Sequence, residues 1–394
     1  LPEIEGMEEF AGASFHTARW DYDYTGGGPD GGLDKLAGKS VALMGVGGSG
    51  IQVLPHLAEA AEQVYVFQRT PSPIGVRANR PTPEGFADDF EPGWQRARME
   101  NFQSVMLGKP VEEDLVDDAW CHNFARSRSM RRDPSWTDAD YATKLEELDY
   151  QIMEEHRARI DEIVQDRRIA EALKPWYRYM CKRPLFHDDY LAAYNCPNVT
   201  LIDCPAGVER ITDTGVVVGG EEIAVDCIIY ATGFEGESTP LARRVRHEVV
   251  GRDGITLAEK WGDGAKSLWG MTSRGFPNMF VMPAPFQQAV VTVNYTHLAE
   301  EGAEHVAGVV RALDDAGVEW FDISEESEDV WTQGVIDRYV DVNVMMSLCT
   351  PSRINNEGRP EDIPPNNGNY GGGLGDFFGY RDLLAEWRTG GEFE

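Results

Sequence analysis

What most constrains this chain is a glycine turn set between an apolar run and a helix-patterned stretch. Ser40-Val-Ala-Leu-Met44 reads as a short buried strand, Gly45-Val-Gly47-Gly48-Ser49-Gly50 as a turn, the residues to about Ala61 as a helix, and Gln63-Val-Tyr-Val-Phe-Gln68 as a second strand. The glycines have separate jobs in such a unit. Gly45 permits the tight turn, Gly47 lets the backbone approach a pyrophosphate, and Gly50 lets the helix pack on the strand. The helix N-terminus adds unpaired backbone N–H groups and the positive end of its dipole. A lone G-x-G-x-x-G recurs in many turns, but one that follows a strand and opens a helix inside a βαβ unit predicts a dinucleotide site. Gly48, Ser49 and Gln52 complete the candidate cofactor contacts on the turn. Pro55 falls inside the helix and is expected to kink it, because it removes a backbone donor.

The end of the second strand indicates which dinucleotide. NAD and FAD sites usually carry an Asp or Glu there for the ribose 2′-hydroxyl. This strand ends in Gln68-Arg69-Thr70, with no carboxylate. An arginine beside a hydroxyl suits a 2′-phosphate, so Arg69 and Thr70 point to NADP(H) over NAD(H), and over FAD at this turn. The lesser reading of Arg69 on chemistry alone is a solvated surface arginine.

The rest of the 394-residue chain fits an α/β protein with ample core, 42% hydrophobic and 26% charged. Sixty-seven acidic against 36 basic residues give a net charge of −31, which opposes nucleic-acid and anionic-membrane partners and makes a basic pair inside a pocket informative. The six cysteines, Cys121, Cys181, Cys196, Cys204, Cys227 and Cys349, lie far apart without metal-ligand spacing; they read as reduced, with no metal site, in a cytoplasmic protein. Residues 80–175 have helical periodicity, notably Leu145 to Ile160, and read as a helical insertion. After Pro184, Val199–Ile202, a hairpin at Gly215–Gly220 and Cys227–Phe234 restore the α/β pattern. A helix around Leu298–Asp315 and a short one through Trp387 follow. The organisation expected is 1–34 an interdomain crossing, 35–80 and 176–238 the two halves of an NADP-binding domain, 81–175 the helical insertion, and 239–394 a C-terminal part.

Phe10-Ala-Gly12-Ala-Ser-Phe-His16-Thr-Ala-Arg-Trp20-Asp21 matches F-x-G-x-x-x-H-x-x-x-W-P/D at every defined position. With the run from Gly38 through the glycine turn to Pro71, and with Tyr230-Ala231-Thr232-Gly233-Phe234, the chain resembles the type I Baeyer–Villiger monooxygenases, class B flavoproteins, over nearly its whole length. Gly275–Phe280 and Tyr370–Gly373 agree more weakly. The resemblance implies an α/β, two-dinucleotide-binding (Rossmann-like) flavoprotein architecture interrupted by helices. It implies FAD and NADP(H) as cofactors, with a ketone and O2 as partners. NADPH would reduce the flavin, and a C4a-peroxyflavin would insert oxygen next to the carbonyl, giving an ester or lactone.

The resemblance also assigns roles. Lys182-Arg183 matches the family's basic pair. Arg183 is the candidate catalytic residue, an always-charged fork that stabilises an anion, while Lys182 would join Arg69 and Thr70 on the 2′-phosphate. Ala231, Thr232 and Gly233 are candidate cofactor contacts, and the fingerprint residues Phe10, Gly12, His16, Trp20 and Asp21 are expected to couple domain motion, with His16 bonding backbone across the crossing. The first, FAD-binding βαβ unit has no counterpart before Phe10, so the chain is expected to be incomplete, an expectation its Leu start supports. Substrate scope does not transfer through Leu348–Asn356, which lacks the family's usual tryptophan. Alternatives are a related N- or S-oxygenating flavin monooxygenase and a non-catalytic NADP-binding fragment.

Overall fold

Short strands dominated by Val, Ile, Leu and Phe need cover on both faces, and a parallel sheet supplies it. The computed structural model describes residues 1–29, 31–128, 133–234, 247–284, 287–292, 294–339, 346–372 and 376–390. The strands in chain order are β1 (Ala13–His16), β2 (Ser40–Met44), β3 (Gln63–Gln68), β4 (Ile74–Gly75) and β5 (Leu185–Phe186). They continue with β6 (Val199–Asp203), β7 (Arg210–Ile211), β8 (Gly215–Val218), β9 (Glu221–Ala224) and β10 (Cys227–Tyr230). The longer helices are α1 (Gly48–Ala60), α2 (Trp94–Met106), α3 (Ala119–Arg128), α4 (Asp138–Ile163), α5 (Arg167–Leu173), α6 (Tyr295–Ala316), α7 (Glu325–Asp337) and α8 (Phe377–Gly390).

Five strands pair in parallel in the order β1-β10-β2-β3-β6. The two-residue period of a strand sorts their side chains. Val41, Leu43, Val64, Val66 and Ile229 face Ile51, Leu54 and Leu57 of α1. Their neighbours Ala42, Met44, Phe67, Ile228 and Tyr230 pack with Ile211, Val216 and Val225, which belong to the antiparallel sheet β7-β8-β9 and the residue that follows it. The expected hairpin is the β8–β9 connection, where Gly219 and Gly220 have φ of 62° and 79°, the pair of positive values that a two-residue turn of this hand requires. Pro55 lies inside α1 without ending it.

The chain divides into two compact units, Leu1–Phe90 with Asp117–Phe234, and Glu91–Val116 with Glu235–Glu394. The segment expected as one helical insertion is thereby shared: α2 belongs to the second unit, α3 to α5 to the first. Periodicity marks a helix but not the core it joins. The segment expected as an interdomain crossing instead contributes β1, an edge strand of the parallel sheet. The expected boundary at 238–239 and Gly373 lie outside the described residues. Cys121, Cys196, Cys204 and Cys227 lie outside any disulfide, so the reading of all six as reduced holds for these four.

The second unit is built on α6. Leu298 packs with Phe377, Tyr380 and Leu384 of α8 and with Trp269 and Met271. Arg96 of α2 pairs with the buried Glu301 at 2.8 Å and with Glu304 at 3.1 Å.

Candidate functional site

Register places the motifs together. His16 lies opposite Tyr230, Tyr230 opposite Met44, and Met44 opposite Phe67. Parallel strands all end at the same edge, so the His16 end of the fingerprint, Ala231-Thr232-Gly233, the glycine turn and Gln68-Arg69-Thr70 leave the sheet side by side, at the carboxyl edge where open α/β sheets bind ligands.

Within the turn, two glycines are fixed by backbone and one is left open. Gly45 has φ of 105°, and a Cβ there would lie 2.7 Å from the Ala231 carbonyl oxygen; at Gly50 a Cβ would lie 2.1 Å from the Gly45 oxygen. Gly47, the residue before α1, has nothing within 4 Å of such a position. A backbone that is bare at the start of a helix is the surface a pyrophosphate needs. Ser49 is exposed, and Gln52 donates through Nε2 to the Gly48 carbonyl at 2.6 Å. These residues fit a dinucleotide.

The basic residues reach the turn through a small parallel pairing. β4 pairs with β5, with the Leu185 N–H bonded to the Pro73 carbonyl at 3.2 Å, which sets Lys182 and Arg183 alongside the segment that follows Thr70. Tyr177 donates its hydroxyl to the Pro71 carbonyl at 2.5 Å, and the Lys182 Nζ lies 5.9 Å from that ring's centroid. Burial pushes the Tyr177 phenol well above its ordinary pKa, so it stays a neutral donor. Gln68 is buried, its Nε2 donating to the Ala172 carbonyl at 2.8 Å and to Asp203 at 3.2 Å, while Arg69 is exposed and Thr70 half-buried. Arg183 is exposed, and its Nη1 lies 3.3 Å from where a Cβ on Gly48 would sit. The structure thus brings Arg183 onto the glycine turn and Lys182 toward the end of β3.

The fingerprint holds the edge of the same sheet. Phe10 packs in the cluster of Ile211, Val216 and Val225. Gly12 is required because a Cβ there would meet the Asp226 carbonyl at 2.5 Å and the Phe10 ring at 2.7 Å. The Trp20 Nε1 donates to Thr25 at 2.9 Å and its ring meets Phe15 edge-on at 5.2 Å, while Asp21 caps the helical turn Tyr22–Thr25. His16 Nδ1 accepts from the Ala18 N–H at 3.1 Å, which leaves the proton on Nε2; that nitrogen donates to the Gly233 carbonyl at 3.0 Å. His16 therefore touches the segment beside the glycine turn, whereas Phe10, Trp20 and Asp21 are not placed on that turn.

No family model matches the chain. It is 45% identical over 397 residues to pentalenolactone D synthase of Streptomyces exfoliatus, covering 100% of this chain and 67% of that protein. It is 42% identical over 396 residues to a Baeyer–Villiger monooxygenase of Streptomyces coelicolor, covering 98% of this chain and 64% of that one. The solved structure of a polycyclic ketone monooxygenase from Thermothelomyces thermophila superposes with a TM-score of 0.86 at 35% identity, over 100% of this chain and 64% of that one. The chain belongs to the Baeyer–Villiger monooxygenases. It spans about two thirds of the length of these relatives.

As in that solved structure, the fold is α/β, and the candidate site lies at one edge of its parallel sheet. Two residues beside the candidate site of this Baeyer–Villiger monooxygenase family member escape sequence reading. Trp120 lies in the helical insertion and Tyr177 just after it, where an aromatic residue reads as core packing. The Trp120 ring lies 5.5 Å from the Arg183 guanidinium and meets Phe186 edge-on at 4.7 Å. Neither has a motif; their only signal is position in space. Among the described residues, no group of three or more His, Cys, Asp or Glu is placed to hold a metal, and no helix is long and apolar enough to cross a membrane.

Proposed function

We propose that this chain is the NADP(H)-binding part of an FAD- and NADPH-dependent monooxygenase that inserts one oxygen atom of O2 beside a ketone carbonyl, giving an ester or lactone. The observation that carries the reading is the placement of the Arg183 guanidinium against Gly48, at the N-terminus of α1. An always-protonated fork beside a helix N-terminus favours negative charge developing on a nearby oxygen and holds it against protonation. Gly45, Gly47, Gly48, Ser49 and Gly50 cradle the pyrophosphate, with Gln52 ordering the first turn of the helix. Ala231, Thr232 and Gly233 wall the cradle. Arg69, Thr70 and Lys182 take the 2′-phosphate through charge-assisted bonds. FAD, when bound, supplies the oxygen-activating chemistry, and no residue of this chain is assigned to it. The acidic surface supports a cytoplasmic enzyme whose partners are a small ketone and O2, with neither nucleic acid nor membrane.

The test is calorimetric titration of the chain with NADP+ and NAD+, followed by incubation with FAD, NADPH and a panel of cyclic ketones analysed by mass spectrometry. The expected result is preference for NADP+, and ketone products heavier by one oxygen when flavin is retained. Equal affinity for NAD+, or no dinucleotide binding at all, overturns the reading.

A further inference from the structure

We propose that Trp120 is a positioning residue for Arg183: its indole face carries the guanidinium at the mouth of the glycine turn and leaves the guanidinium's hydrogen-bonding edge for a bound dinucleotide. The identity of the ligand rests on the reading above; the support of Arg183 by Trp120 does not.

The guanidinium carbon lies 5.5 Å from the centroid of the Trp120 ring, inside the roughly 6 Å over which a cation is held by an aromatic face. Its Nη1 also lies 3.3 Å from where a Cβ on Gly48 would sit, at the start of α1. Among the described residues no hydrogen bond or ion pair is recorded for Arg183. A carboxylate would hold the arginine more tightly but would occupy its fork. An aromatic face offers no acceptor oxygen, so it orients the cation while leaving all five N–H donors available.

Trp120 is itself fixed from the strand that follows Arg183. Its ring packs edge-on against Phe186 of β5 at 4.7 Å. Its backbone N–H and that of Cys121 donate to Asp118 Oδ1 at 2.9 and 3.1 Å, capping α3, and the Arg77 Nη1 donates to Asp118 Oδ2 at 3.3 Å. The loop carrying Arg77 is clamped by Asp188, two residues beyond β5, which accepts from the N–H groups of Arg77, Ala78 and Asn79 at 2.9, 3.1 and 3.0 Å. The support and the side chain it supports are thus tied to one strand.

The experiment uses the full chain labelled with 15N-arginine, with the Arg183 Nε–H signal assigned through Arg183→Lys. We expect that signal to carry a ring-current shift that persists in part in Trp120→Phe and disappears in Trp120→Leu and Trp120→Ala. Calorimetry should give an NADP+ affinity about two- to fivefold weaker for Trp120→Leu, near wild type for Trp120→Phe, and no further loss when Trp120→Leu is added to Arg183→Ala. An Arg183 signal indifferent to Trp120→Leu, or additive losses in the double variant, overturns the proposal. If the wild-type chain binds no NADP+, the functional reading fails, while the arginine signal still decides the role of Trp120.

Discussion

Gly45, Gly47 and Gly50 look alike as letters and differ as positions. A Cβ at Gly50 collides with backbone, which cannot swing aside, whereas Gly47 has open space and an ordinary φ of −83°. Gly50→Ala should cost about 3 kcal/mol by overpacking and lower the urea midpoint. Gly47→Ala should leave the midpoint within about 0.5 kcal/mol of wild type, yet weaken NADP+ at least about tenfold, equivalent to 1.4 kcal/mol. A loss of stability at Gly47 equal to that at Gly50 would show that the open position is filled by protein. Arg69 gives a matching contrast in charge. Arg69→Ala should cost NADP+ about ten- to a hundredfold, as a charged hydrogen bond contributes about 1.5–3 kcal/mol, and leave NAD+ affinity unchanged in the same titration. His16→Ala should slow turnover while leaving the NADPH dissociation constant within about threefold of wild type, because the ring bonds the Gly233 carbonyl and not the turn itself. Abolished NADPH affinity would contradict that division of labour.

At the scale of elements, α6 carries a pH-dependence. His305 is buried on it beside the paired rings of Trp269 and Trp387, and its pKa is pushed down to about 4 by burial and by the Arg388 charge on α8, against a hydrogen bond to the Leu384 backbone that works the other way. An unfolded histidine titrates near 6.5, so as pH falls from about 6.5 toward 4 the unfolded chain takes up a proton that the folded one refuses. The contribution is fully present above about pH 6.5 and declines below it, by about 3 kcal/mol at pH 4. One turn earlier on α6, burial pushes the Glu301 carboxyl up, but His297 and Arg96 more than offset it and hold it low, so its contribution is also lost in acid. Urea midpoints measured from pH 7 to 4 should fall steadily and fall less in His305→Gln; a flat profile would rule out a buried neutral His305. The strand–turn–helix–strand unit was legible because its apolar runs and turn glycines answer to the local backbone, even though its strands also pair with distant β10 and β6. The same holds for α4, α6 and α8, whose apolar spacing is their own. The strand at Ala13–His16 was not legible, since four residues of mixed polarity owe their extended form to pairing with β10, more than 200 positions away. Trp120 and Tyr177 were hidden for a similar reason: the two-residue pairing of β4 with β5 that brings their neighbours to the turn leaves no periodicity to read.

For the molecule as a whole, net charge and local charge oppose one another. A chain carrying −31 repels a nucleotide phosphate at long range, while in the proposed site Arg69, Lys182 and Arg183 attract it once it arrives. Stopped-flow association with NADPH should therefore accelerate as ionic strength rises from about 0.01 to 0.15 M, where the screening length shrinks from about 30 to 8 Å; a rate that falls across that range would mean the basic pocket, not the acidic surface, governs encounter. One contact seen in the glycine turn has a mechanical side. Gly45 lies backbone against backbone on the Ala231 carbonyl with no room for even a methyl group, and two residues further on Gly233 is held by the His16 ring. Side chains can yield by changing rotamer; stacked peptide groups cannot. The His16 end of the fingerprint, the Ala-Thr-Gly segment and the proposed pyrophosphate cradle thus meet through contacts with little slack, so we expect a pull on this edge of the sheet to reach a dinucleotide bound there as displacement.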